Sequence, residues 1–298
     1  MNITISGAPG FIGRRLLKVL GAGGHRLHIL SRHAGTNMPP GVRLSVWDPM
    51  KGRPPAESLE NADAVVHLAG EPVAQRWTAE AKRRIRDSRV LGTGHLIEAL
   101  TALPRRPGVL VSASAVGYYG SRGEEVLDES APPGTGFLAE VCAAWEQEAQ
   151  AAAALGMRVV LIRIGVVLDP KGGALARMLL PYRLGIGGKL ASGRQWMSWI
   201  HLADQADMFR FALENPVSGV WNGVAPAAVI NREFTRELAQ ALRRPAFFPV
   251  PKLALQALFG EMSVVLLESQ HVVPRAAQAA GFRFRFPQLG PALADLLR

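Results

Sequence analysis

The chain of 298 residues is short of cysteine, of acid and of long apolar runs, and each shortage narrows what it can be. One cysteine, Cys142, cannot close an internal disulfide and cannot by itself hold a structural zinc, so no metal is expected and a reducing cytoplasm is. The longest apolar stretch, Val159 to Leu168, is interrupted by Arg163 and is too short to span a bilayer; no membrane partner is expected. Met1-Asn2-Ile3-Thr4-Ile5 alternates like a strand, with no basic region leading into an apolar core, so no secretory leader is expected. Acid is outnumbered, 24 Asp and Glu against 34 Lys and Arg, leaving a formal charge of +10. The basic residues fall in short groups, Lys82-Arg83-Arg84 with Arg86 and Arg89, Arg105-Arg106 and Arg243-Arg244, with no interleaved aromatics. That spacing suits solvated helix faces and an anionic small ligand better than nucleic acid, which is not expected as a partner.

What is present is alternation. Asn2 to Ser6 reads as a strand, Ile12, Leu16, Leu17 and Leu20 recur at helical spacing, and Arg26 to Leu30 is a second strand ending at Ser31-Arg32. Ala64 to Leu68, a helix from Val90 to Leu100, Gly108 to Ser112 and Arg158 to Ile164 continue the pattern. Continuous apolar strands separated by helices predict an α/β fold, a doubly wound parallel sheet of Rossmann type covered on both faces. Beyond about residue 170 the pattern dissolves into glycine-rich and proline-punctuated pieces. Two regions are therefore expected, 1–170 for the cofactor sheet and 171–298 for a smaller lobe partly interleaved with it.

The segment Gly7-Ala8-Pro9-Gly10-Phe11-Ile12-Gly13 follows the first strand and opens the first helix. Glycine spacing there allows a sharp turn, a close approach to a pyrophosphate and tight packing of helix on strand, while the helix N-terminus offers unpaired N–H groups. Gly7, Pro9, Gly10, Phe11, Ile12 and Gly13 are the candidate phosphate loop of a dinucleotide site. About twenty residues on, an acid would hold a ribose 2′-hydroxyl; Ser31 and Arg32 stand there instead. A guanidinium beside a hydroxyl suits a 2′-phosphate, so NADP(H) is expected over NAD.

With these residues in view, the chain resembles the extended short-chain dehydrogenase/reductases, which include sugar-nucleotide epimerases and dehydratases. Closer still is an atypical, NAD(P)-binding epimerase/dehydratase-like branch of uncertain function, through His67-Leu68-Ala69-Gly70-Glu71-Pro72, Ile85-Arg86-Asp87-Ser88-Arg89, Ser112-Ala113-Ser114-Ala115-Val116-Gly117-Tyr118-Tyr119-Gly120, Trp196-Met197-Ser198-Trp199-Ile200-His201 and Gly260-Glu261-Met262. The resemblance covers nearly the whole chain. It implies further cofactor contacts from Leu68, Ala69, Gly70, Glu71, Arg89, Ser112, Cys142 and Ile164, and the possibility of a homodimer built on two helices of one sheet face.

The classical members of that superfamily pair a tyrosine with a lysine four residues later. Here Leu138 stands at the tyrosine position, Cys142 at the lysine position and Arg89 where asparagine is usual, whereas Ser114 matches the superfamily serine. Leucine has no proton to give, and a thiol of ordinary pKa about 8.5 is mostly neutral at pH 7. Glu140 points to a different helical face. The remaining catalytic candidates are Ser114 and Arg89 to position oxygens, and Tyr118 or Glu71 to handle a proton; Cys142 is a weaker candidate as nucleophile, better suited to packing or ribose contact. The expected activity is oxidoreductase-type hydride chemistry on a small, anionic substrate of unknown identity. The alternative is a non-catalytic NADP(H)-sensing regulatory or interaction protein.

Overall fold

A computed structural model describes residues 1–34 and 40–298. Its centre is a sheet of seven strands, all parallel: β1 (Asn2–Ser6), β2 (Arg26–Ser31), β3 (Arg43–Val46), β4 (Ala64–His67), β5 (Val109–Ala115), β6 (Arg158–Ile164) and β7 (Gly219–Gly223). Their order across the sheet is β7-β6-β5-β4-β1-β2-β3. The strands are apolar nearly throughout because both faces are covered, as parallel sheets require.

One face carries α1 (Phe11–Ala22) and, from later in the chain, a helix at Leu202–Glu214. Ile3, Ile5 and Ile29 meet Leu16, Leu20, Met208 and Phe209 there. The other face carries α2 (Ala79–Thr101) and α3 (Phe137–Gln150), whose Leu96, Leu100 and Ala149 cover Leu30, Val65, Leu110 and Leu161. A further apolar cluster lies to the side, where Leu168, Leu175, Leu179, Trp199, Phe234, Leu238 and Leu293 pack together.

One reading of the sequence needs correction. The second long helix begins at Ala79, not near Val90, with Thr78 as its cap: the Thr78 hydroxyl accepts from the Ala81 N–H at 3.1 Å. Its first turns are so rich in Lys and Arg that the apolar stripe, carried only by Ala81 and Ile85, is hard to see. Arg89, just ahead of the expected helix, therefore sits in mid-helix. Gly219–Gly223, from the region expected to form a smaller, partly interleaved lobe, pairs in parallel with β6 as the edge of the main sheet.

Candidate functional site

The strand order reverses between β1 and β4, and ligands of open α/β sheets sit at the carboxyl ends of the strands at such a switch point. Here the loop after β1 meets the loop after β4. Gly7 has φ +72°, and a Cβ on it would stand 2.6 Å from the Leu68 carbonyl carbon, so only glycine lets the two loops touch. Gly13 has the same reason inside the first turn of α1: a Cβ would lie 2.5 Å from the Ala8 carbonyl oxygen. Gly10 caps α1 without a side-chain hydrogen bond, and the first turn contains no acid. The N–H groups at this helix end are thus left to an incoming anion.

A cleft of about 290 Å³ opens there. Gly7, Pro9 and Gly10 line one side, Leu68, Ala69, Gly70 and Glu71 a second, and Ser31 and Arg32 the end of β2. Nine of the residues expected at the cofactor are thereby brought to one cleft. Phe11, Ile12 and Gly13 pack behind it: Phe11 lies against Gly172 and Gly173, and Ile12 joins the sheet core. Ser112 is fully buried in β5, paired in register with His67, and Ile164 is packed against the core at the end of β6.

The arrangement under the cleft was not legible in the sequence. His67 bridges Ser6 Oγ at 2.6 Å through Nδ1 and Thr93 Oγ1 at 3.0 Å through Nε2, entirely buried. Burial pushes its pKa down to about 4, so the ring is neutral. Arg89 donates to the carbonyl oxygens of Glu71 and Ile85, each at 3.0 Å, and its guanidinium lies 5.1 Å from the Trp145 ring. A Cβ on Gly70 would come within 3.0 Å of that guanidinium, so the loop rests directly on it. Arg89 props the β4 loop from below. The Glu71 carboxylate reaches outward, 3.9 Å from Arg32, 3.7 Å from Arg84 and 3.2 Å from the Gln75 amide that donates to it.

The other catalytic candidates gather at the end of β5 and on α3. The Ser114 hydroxyl donates to Glu146 at 2.6 Å. Glu146 also accepts two hydrogen bonds from Arg163, both at 2.8 Å, in a pair buried on both sides. A carboxylate so placed is the strongest local acceptor, which is why it captures the serine. Arg163 lies 3.4 Å from the centre of the Tyr118 ring and donates to the Tyr119 hydroxyl at 2.9 Å. Tyr119 in turn donates to Asn222, and burial pushes its pKa up to about 12. The only hint of this network in the sequence was Arg163 breaking an apolar run.

Leu138 and Cys142 both face Gly117, where a Cβ would meet Leu138 at 3.2 Å and the Cys142 sulfur at 3.9 Å. Leu138 also joins a small apolar cluster with Trp77, Ile85 and Met262. Burial raises the Cys142 thiol to about 11, with Arg89 pulling weakly the other way. A thiol so held favours the protonated form, which disfavours a nucleophilic role. Glu140 is exposed on another face of α3. In the second lobe Trp199 is core, Trp196 stacks on His271 at 3.7 Å, and His201 Nδ1 accepts from the Ala203 N–H as a helix cap. Among the described residues no group of three or more His, Cys, Asp or Glu is placed to hold a metal ion, and no helix is long and apolar enough to cross a membrane.

A glycine cradle on a bare helix end, at the switch point of a seven-stranded parallel sheet, defines a dinucleotide-binding protein of Rossmann type. The profile of the NAD dependent epimerase/dehydratase family matches residues 3–225, and a domain of unknown function, DUF1731, matches 250–296. The chain belongs to the NAD dependent epimerase/dehydratase family. It is 42% identical to the epimerase family protein SDR39U1 homolog, chloroplastic, of Arabidopsis thaliana, over all of this chain and 87% of that protein. Identity is 38% with the epimerase family protein YfhF of Bacillus subtilis, over all of this chain and 98% of the relative. Among solved structures, human epimerase family protein SDR39U1 (isoform2) with NADPH superposes with a TM-score of 0.88 at 38% identity, covering 100% of this chain and 99% of that one. MoeE5 in complex with UDP-glucuronic acid and NAD superposes at 0.81 with 22% identity, covering 100% and 98%, a likeness of fold alone.

Proposed function

We propose that the chain binds NADP(H) in preference to NAD(H) and performs hydride-type oxidoreductase or epimerase-like chemistry on a small, anionic substrate. The observation that carries the cofactor choice is Arg32 beside Ser31 at the carboxyl end of β2, in the same cleft as the Gly7 to Gly10 turn. The NADPH held by the human relative supports it. The residues fit such a ligand: a Cβ on Gly7 would collide with the neighbouring loop, the α1 N-terminus has no side-chain cap, and Arg32, at 60% side-chain exposure, has among the described residues only Glu71, 3.9 Å away, as an ion-pair partner.

The bound cofactor supplies or accepts a hydride. The chain's own residues do the rest. The turn at Gly7 to Gly10 and the α1 N-terminus take the pyrophosphate, Arg32 with Ser31 takes the 2′-phosphate, and Arg89 fixes the loop carrying Gly70 and Glu71. Glu71 lies at the Arg32 end of the cleft, so we assign the proton to Tyr118, which follows β5 and whose ring lies against Arg163 of β6. The lone cysteine, buried, makes a reducing compartment such as the cytoplasm the natural setting.

The second reading, an NADP(H)-responsive module without chemistry, draws on Leu138 and Cys142, neither of which can give or take a proton at neutral pH. Following NADPH absorbance with a panel of ketones and sugar nucleotides separates the two. Turnover that falls in Tyr118→Phe is the expected result; tight NADPH binding with no turnover on any substrate would replace the enzyme by the module.

A further inference from the structure

The lobe beside the sheet carries an apolar face that the cofactor site does not use. Leu180, Leu184 and Ile186 are each more than half exposed, and so are Phe247 at 82% and Phe248 at 59%. The two segments that carry them adjoin: the Phe248 N–H donates to the Gly187 carbonyl at 3.2 Å, and Gly185 lies against Pro245. Exposed aromatic and aliphatic side chains grouped in this way mark a contact surface.

Charge decides what it contacts. Residues 170–200 contain Lys171, Arg177, Arg183, Lys189 and Arg194 and not one Asp or Glu. Beside Phe247 a shallow hollow of about 410 Å³ is lined by Lys189, Arg232, Arg236 and Arg244 with no acid in its wall. Of these only Arg236 has an ion-pair partner among the described residues, Glu237 at 3.3 Å. A second copy of the chain would bring the same cations to the contact and be repelled. A phospholipid surface of negative charge answers both features, since phosphates take the cations while exposed rings enter among the acyl chains.

We propose that this face docks on an anionic phospholipid surface, Phe247 and Phe248 entering between headgroups whose phosphates are held by Lys189, Arg232, Arg236 and Arg244. The shortage of long apolar runs excluded a spanning segment; a peripheral contact makes no such demand. The surface also gives a use to part of the +10 charge.

The test is sedimentation of the full chain with vesicles of phosphatidylcholine alone or mixed with phosphatidylglycerol. Binding to the mixed vesicles only, weakened by salt, is expected. Arg244→Glu, a change of two charges, should weaken it by well over tenfold at about fivefold for each charge. The double variant Phe247→Ser with Phe248→Ser alters only exposed side chains and should abolish binding while NADPH affinity is retained. Equal sedimentation with both vesicle types, or binding undiminished in the double variant, overturns the proposal. So does a concentration-dependent dimer that the double variant dissolves, without vesicle binding, because the face would then join two copies.

Discussion

Glu146 and Arg163 meet in a two-point ion pair, both contacts at 2.8 Å and both side chains nine-tenths or more buried, directly beside Tyr118. Such a pair is costly to break from one side, because the surviving charge is left in the interior without a partner. Glu146→Ala should therefore destabilise the fold by about 3–5 kcal/mol in urea titration. Glu146→Gln, which still accepts from Arg163 and Ser114, should cost less. Equal, small losses in both variants would mean that the pair contributes little and that Tyr118 is held by packing.

Arg32 is predicted to read the 2′-phosphate. Arg32→Asp replaces a charge-assisted hydrogen bond by repulsion and should weaken NADPH by more than the 1.5–3 kcal/mol of one such bond, about ten- to a hundredfold or beyond, while NADH gains. Fluorescence titration with each reduced cofactor measures both. Unchanged affinities would place the phosphate elsewhere.

His67 links stability to acid. Its pKa in the fold is depressed to about 4 from 6.5, so the neutral ring is favoured by folding. The contribution is fully present above about pH 6.5 and is lost as the pH falls through about 4, because the unfolded chain takes up the proton first. The span corresponds to roughly 3 kcal/mol. Urea midpoints followed from pH 7 downward should show this slope in the native chain and a shallower one in His67→Gln. The same slope in both would assign the acid sensitivity to other groups.

Cys142 should be chemically quiet. With the thiol at about 11, the thiolate fraction near pH 8 is on the order of one in a thousand, and burial blocks access besides. Iodoacetamide is expected to label the native chain slowly and the urea-unfolded chain at once. Cys142→Ser should keep cofactor binding. Rapid stoichiometric labelling of the native protein would restore the thiol as a reactive group.

Much of the cofactor half was legible along the chain because its signals are local. The alternation at Ile3 to Ile5, the spacing of Leu16, Leu17 and Leu20, and the three glycines each depend on neighbours within one or two turns. The start of α2 was not legible, because first turns whose buried apolar side chains are only Ala81 and Ile85 look like a charged loop until their tertiary partners are present. Membership of Gly219–Gly223 in the main sheet was not legible either, since nothing local says which edge a strand joins.

The sequence by itself determined the strand, turn and helix at Gly7 to Gly13 and the cation that ends β2, since both are consequences of residue type at short range. Tertiary structure alone decided what those features meet. It brought Glu71 to Arg32 across 39 residues, set Arg89 beneath the Gly70 loop, and gave the Ser114 proton to Glu146. For Arg89 and Glu146 the physical reason is the same. Buried charges must find partners wherever the sheet order places them, and that order depends on packing between segments far apart in the chain, not on any local pattern.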